Sequence, residues 1–176
     1  MLDKIRAELA PTGILRAGIN LSNFLLVTDK TPDGDPIGVS PDMARAVADR
    51  LDVRVKYITF ASPGELADAA VEDVWDIGNI GAEPERAKTI AFSAAYAEIE
   101  ATYLLPAGSL IQSVDEVDRE GVRIGVYGRS AYGLWLADNI KNAELVKTDG
   151  VDASFDIFVE QGLEVMAGLR PRLITD

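Results

Sequence analysis

The chain has 176 residues, 48% hydrophobic and 26% charged, enough to bury one full-sized core or two small ones and too apolar for a disordered tract. Its 17 Lys and Arg against 29 Asp and Glu give a formal charge of -12, which argues against a nucleic-acid partner, because phosphate binding needs clustered cations. Cys and His are absent, which removes disulfides, thiolate metal sites and the commonest general base, so neither a metal nor a cofactor is expected.

No apolar run reaches the length of a membrane span. The opening MLDKIRAELAPTG lacks the basic, apolar, small-residue order of a secretory leader, and Ile5 and Leu9 at helical spacing predict a short helix stopped by Pro11. GILRAGIN (13–20) then predicts a strand, leading into the turn-rich SNFLLVTDKTPDGDP. SPDMARAVADRL predicts a helix with Ser40 as N-cap, Pro41 at the first helical position, and Met43, Val47 and Leu51 on one face. VRVKYITF (53–60) is a strand, and Ser62, Pro63 and Glu65 form a capping-box start for the next helix. WDIGNI returns to strand.

This alternation of strands and helices predicts a parallel sheet with helices on its faces. Ligands in such sheets bind at the carboxyl ends of strands. The eligible loops follow Asn20, Phe60 and Ile80.

The last of these continues as GAEPERAKTIAFSAAY (81–96), with a predicted helix start at Pro84 and Arg86 in its first turn. A cation is disfavoured at the positive end of a helix dipole, so Arg86 does not stabilise that helix. Free amides at the helix start together with a guanidinium fork form an anion site. The competing reading pairs Arg86 with Glu83 or Asp76 as local structure. Farther on, Tyr96, Glu98, Glu100 and Thr102 share one face of an extended segment.

A second unit opens with GVRIGVYG (121–128), which resembles GILRAGIN and is again followed by a helix, SAYGLWLADNIKNA. Its predicted apolar face is Tyr132, Trp135, Leu136 and Ile140. ELVKT is a strand, DASFDIFVEQG a helix with Phe155, Phe158 and Val159 inward and Gly162 at its C-terminal cap, and LEVMAG a further strand. Two α/β lobes of similar plan are expected, residues 1–102 and 103–176.

LRAGIN, GVSPDMARAVADRL, WDIGNIGAEPERAKTIAFSAAY and SVDEVDREGVRIGVYGRSAYGLWL, in this order, resemble the type II periplasmic solute-binding proteins of amino-acid ABC transporters (bacterial extracellular solute-binding proteins, family 3). The resemblance covers nearly the whole chain. It implies an α/β fold of two hinged lobes that binds an amino acid or related small carboxylate without chemistry, in the periplasm, and delivers it to the transporter's membrane subunits. Because the chain shows no leader, a cytoplasmic location stays open.

Residue by residue, the resemblance implies that Arg86 grips the ligand carboxylate, with the Gly81 and Ala82 backbone beside it. It places Asn20 near the ligand's amino group, Asn23 at a lid position and Ser130, in the GRS turn, on the other side of the carboxylate; Ser130 serves equally as a helix N-cap. Relatives usually carry an aspartate for the amino group after the strand that here reads LEVMAG, where this chain has Leu169, Arg170 and Pro171. Arginine accepts no hydrogen bond from an ammonium. Either Glu98 or Glu100 supplies the negative charge, or Arg170 recognises a second anionic group on a dicarboxylate or keto acid. Two other functions compete with transport: a cyclohexadienyl-dehydratase-like enzyme using a buried Glu98 or Glu100 as acid or base, and a ligand-sensing module.

Relatives cross between lobes twice, whereas this sequence crosses once, near Tyr103, and stops at LRPRLITD. The expectation is an incomplete second lobe and return crossover, either in a C-terminally shortened protein whose open sheet edges invite self-association or in a fragment with weakly coupled lobes.

Overall fold

In the computed structural model, which describes residues 2–175, the chain divides into two units. One comprises the residues up to Ala82 with Arg86–Ala91; the other comprises Glu83–Glu85 with the chain from Phe92 onward. Residues 92–102, grouped with the first lobe on sequence grounds, thus belong to the second unit, because the strand at Ala101–Leu104 is bonded into its sheet.

In the first unit, helix α1 (Leu2–Leu9) precedes β1 (Ile14–Asn20), the short strands β2 (Asp29–Lys30) and β3 (Pro36–Ile37), α2 (Val39–Leu51), β4 (Arg54–Phe60), α3 (Pro63–Asp68) and β5 (Ile77–Asn79). The main sheet has the order β4-β1-β5 and is parallel throughout. Helix α2 is capped by Gly38 rather than Ser40, which lies buried inside the first turn. Gly38 has φ 138°, and a Cβ there would stand 2.5 Å from the Leu26 carbonyl oxygen, so the turn requires glycine. The inward face of α2 is Ala44, Ala48 and Leu51, while Met43 is exposed. Small side chains let the helix lie close on Leu15, Ala17 and Ile19 of β1. Helix α3 starts as its sequence predicts: Ser62 accepts from the Glu65 amide at 3.1 Å, while the Glu65 carboxylate accepts from Ala61 rather than Ser62.

The second unit contains β6 (Ala101–Leu104), β7 (Arg123–Tyr127), α4 (Ala131–Asn139), β8 (Glu144–Thr148), α5 (Val151–Glu160), β9 (Val165–Leu169) and α6 (Arg170–Leu173). Its sheet has the order β6-β9-β7-β8, with β6 antiparallel to β9 and the other pairs parallel. Ile124, Val126, Leu136 and Val165 form one apolar cluster, and Phe158, Leu163, Met166 and Leu173 a second. Trp135 and Val159, expected inward, are 52% and 60% exposed; Leu136 and Phe158 supply the large buried apolar side chains of their helices. Gly162, at φ 55°, ends α5 through amide bonds from Gly162 to Val159 and from Leu163 to Phe158.

The two units repeat one device. Arg16, before the β1 residue paired with Ile77, donates its backbone amide to Asp76 at 2.7 Å and its guanidinium to the same carboxylate at 2.6 Å. Arg123, before the β7 residue paired with Val165, does the same to Glu164 at 2.9 and 2.8 Å. Two residues beyond each arginine stands a glycine, Gly18 or Gly125, where a Cβ would crowd the side chain preceding the acid, 3.2 Å from Trp75 or 3.0 Å from Leu163. The weak similarity of the two strand openings is therefore one half of a repeated Arg-x-Gly and apolar-acid clamp.

Candidate functional site

In the first unit the chain leaves β1 through α2 to β4, then returns through α3 to β5 on the opposite side of β1. Connections diverge between β1 and β5, and that is where an open parallel sheet offers a ligand crevice at its carboxyl edge. The loops after Asn20 and Ile80 flank this point; the loop after Phe60 lies beyond it, on the sheet's far edge.

Asn20 ends β1, and its side-chain oxygen accepts from the Ser22 amide at 3.0 Å and the Ser22 hydroxyl at 2.8 Å, a local turn that fixes the loop's exit. Asn23 turns the chain again, accepting from Leu25 with its side chain and from Leu26 and Val27 with its carbonyl. Asn79, at the end of β5 and one residue out of register with Asn20, adds a second amide to this edge. The sequence signal for it was the same, a polar residue closing an apolar strand.

The helix expected at Pro84 is a turn followed by a single 3₁₀ turn, Arg86–Lys88. So short a segment has no appreciable dipole, and the reading of Arg86 as a cation misplaced at a helix start is corrected. The anion-binding amides invoked with it are likewise not those of a helix. Arg86 is instead buried, at 5% exposure, and donates Nη1–H to the Gly81 carbonyl at 2.9 Å. Gly81 and Ala82 are exposed, and Gly81 meets Arg86 through its acceptor. Asp76, one of the two acids weighed as a local partner for Arg86, is engaged by Arg16.

In the second unit the connections diverge between β7 and β9, for α4 carries the chain to β8 on one side and α5 returns it to β9 on the other. Ser130 is the N-cap of α4 at the carboxyl end of β7, buried, donating its hydroxyl to the Tyr127 carbonyl at 2.7 Å and accepting from the Gly133 amide at 2.9 Å. Close by, burial raises the Tyr132 hydroxyl above its ordinary pKa.

Arg170 directly follows β9. It forms a two-point ion pair with Glu100, Nε to Oε2 at 2.6 Å and Nη2 to Oε1 at 2.9 Å. The guanidinium holds the Glu100 carboxyl below its usual range. The two candidates for the ligand's second group are thus partners of each other. Glu98 and Glu100 are both exposed and precede β6 rather than lying in a strand. The buried carboxyl that the enzyme alternative required is not found in either.

Among the described residues no group of three or more acidic side chains is arranged to hold a metal ion, and no helix is long and apolar enough to cross a membrane. Two open hollows of about 410 Å³ each lie elsewhere in the first unit, one lined by Gly13, Asp49 and Arg54, the other an apolar groove between α1 and α2.

Several solved structures share this fold. The ancestral amino acid-binding protein AncCDT-1, a precursor of cyclohexadienyl dehydratase, matches at a TM-score of 0.71 with 21% identity, over 97% of this chain and 74% of that one. The cysteine-binding protein of Campylobacter jejuni matches at 0.69 with 18% identity, over 96% and 66%. A glycine-to-alanine mutant of arginine-bound ArgBP from T. maritima matches at 0.70 with 16% identity, over 97% and 78%. No curated protein matches the chain. Residues 16–165 match the model for bacterial extracellular solute-binding proteins, family 3, a span that runs from β1 to the start of β9, and the chain belongs to that family.

Proposed function

We propose that the protein binds an amino acid or a related small carboxylate, gripped by Arg86, and delivers it unchanged to the membrane subunits of an ABC transporter at the outer side of the membrane. The observation that carries this reading is Arg86 itself. It is a buried cation tethered to Gly81, two residues past the end of β5, where β5 lies beside the carboxyl end of β1. A guanidinium withdrawn from bulk water binds a carboxylate more strongly than a solvated one, and its planar fork matches the two oxygens. Asn20 and Asn79 supply neutral polar groups on the same edge, and Gly81 and Ala82 supply backbone.

The family membership supports a binding role, and cysteine and arginine are the ligands named for two proteins of this fold. A dehydratase needs a carboxyl that keeps its proton near neutrality; Glu100 is exposed and held ionised by Arg170, which weighs against it.

Titration calorimetry against the twenty amino acids and small organic acids tests the role of Arg86. Arg86→Ala is expected to weaken binding of the ligand found by about 1.5 to 3 kcal/mol, the range for a hydrogen bond to a charged group. Arg86→Lys keeps the charge without the fork and falls between. Unchanged affinity in a folded Arg86→Ala variant removes the residue from the site.

A further inference from the structure

We propose that Glu100 sets the charge selectivity of the second unit's ligand edge by holding Arg170 away from it, so that the protein prefers solutes with one carboxylate over those with two. This rests on the reading that the chain binds a carboxylate-bearing solute.

Strand β9 stands between β6 and β7, and the point where connections diverge, at which open sheets hold ligands, lies on its β7 side. Glu100 precedes β6 and therefore stands on the other side of β9, opposite Arg170. Two attachments hold Arg170 there. Its backbone amide donates to the Glu100 carbonyl at 2.8 Å, and its guanidinium engages the Glu100 carboxylate at two points. Only two of the five guanidinium N–H groups are used in that pair.

A free arginine at the end of β9 would offer a planar fork and a full positive charge to any second carboxylate at the crevice. Paired with Glu100 it brings no net charge and leans away. Glu100 and Arg170 side chains are 62% and 49% exposed, so the pair is screened and adds little to stability. The main-chain bond between the same two residues survives truncation of either side chain. Removing the Glu100 carboxylate therefore changes charge at this edge without undoing β6–β9 pairing.

Calorimetric affinities for the pairs L-glutamine and L-glutamate, and L-asparagine and L-aspartate, are compared in the wild type, Glu100→Ala and the Glu100→Ala/Arg170→Ala double variant. In Glu100→Ala the preference is expected to move toward the diacid by about tenfold or more, the effect of one added charged hydrogen bond. In the double variant that gain is lost. An unmoved ratio in Glu100→Ala overturns the proposal, and so does a shift that persists without Arg170. A wild type that binds none of the twenty amino acids and no small organic acid contradicts instead the underlying reading of the protein as a carboxylate binder.

Discussion

The Ser130 hydroxyl gives its only proton to the Tyr127 carbonyl and receives the Gly133 amide, so its donor and one of its two acceptor lone pairs are used within the turn that joins β7 to α4. A ligand can engage this turn through its backbone without disturbing it. Ser130→Ala removes the cap and is expected to lower stability by about 1 kcal/mol, read from urea unfolding. Gly133 is constrained more tightly: a Cβ there would stand 2.2 Å from the Tyr127 oxygen. Gly133→Ala should destabilise by about 1 to 3 kcal/mol through overpacking; an unchanged unfolding midpoint would show that the turn has slack that its geometry does not suggest. Two of the three N-caps read from Ser-initiated patterns, Ser62 and Ser130, are present, since a hydroxyl satisfying a helix-start amide is a local matter. Ser40 failed as a cap because the tight packing of Gly38 against Leu26 moved the start of α2 two residues earlier. Arg86 was legible as a residue of interest, but the helix around it was not there to be read. Past Lys88 the β-branched Thr89 and Ile90 offer no apolar stripe to extend one turn, and an isolated turn does not propagate.

Each sheet is stitched at its entrance by an arginine that reaches across to the acid preceding a neighbouring strand. These partners are 60 residues apart in the first unit and 41 in the second, which is why only the Arg-x-Gly half of the device was visible as similarity between GILRAGIN and GVRIGVYG. The strands and helices themselves were legible because their apolar spacing is local; which residues clamp them was not, because that depends on strand order. The clamp makes a pH prediction. The Arg123 guanidinium depresses the Glu164 carboxyl from an ordinary 4.5 to about 2 in the folded chain. A depressed carboxyl contributes fully above its unfolded pKa and loses that contribution as pH falls through the folded one. Glu164→Gln should therefore cost about 1 kcal/mol at neutral pH, as expected of a partly solvated pair, and the gap to wild type should close between about pH 4.5 and 2. Unfolding curves over that range decide it: a gap independent of pH would assign the loss to packing alone.

At the scale of the molecule, two units are each organised so that connections diverge at the carboxyl edge of a parallel pair, β1 with β5 and β7 with β9, the place where open sheets hold ligands. Asn20, Gly81, Ala82 and Arg86 belong to the first unit, and Ser130, Glu100 and Arg170 to the second, with Arg170 turned to Glu100 beside β6. Alternation of strands and helices made the class of fold legible, and the motif resemblance made the family legible. The pairing of Glu100 with Arg170 was not, because it joins an exposed residue before one strand to the residue after another, 70 positions along the chain. The central claim is that this protein binds a small carboxylate and leaves it unchanged. Native mass spectrometry of the purified protein, incubated with amino acids and small organic acids and followed by identification of what is bound and what remains free, addresses it most directly. The account predicts one carboxylate-bearing solute retained and recovered intact, with retention lost in Arg86→Ala. Conversion of an added acid into a new product, or the retention of only ligands without a carboxylate, would contradict it.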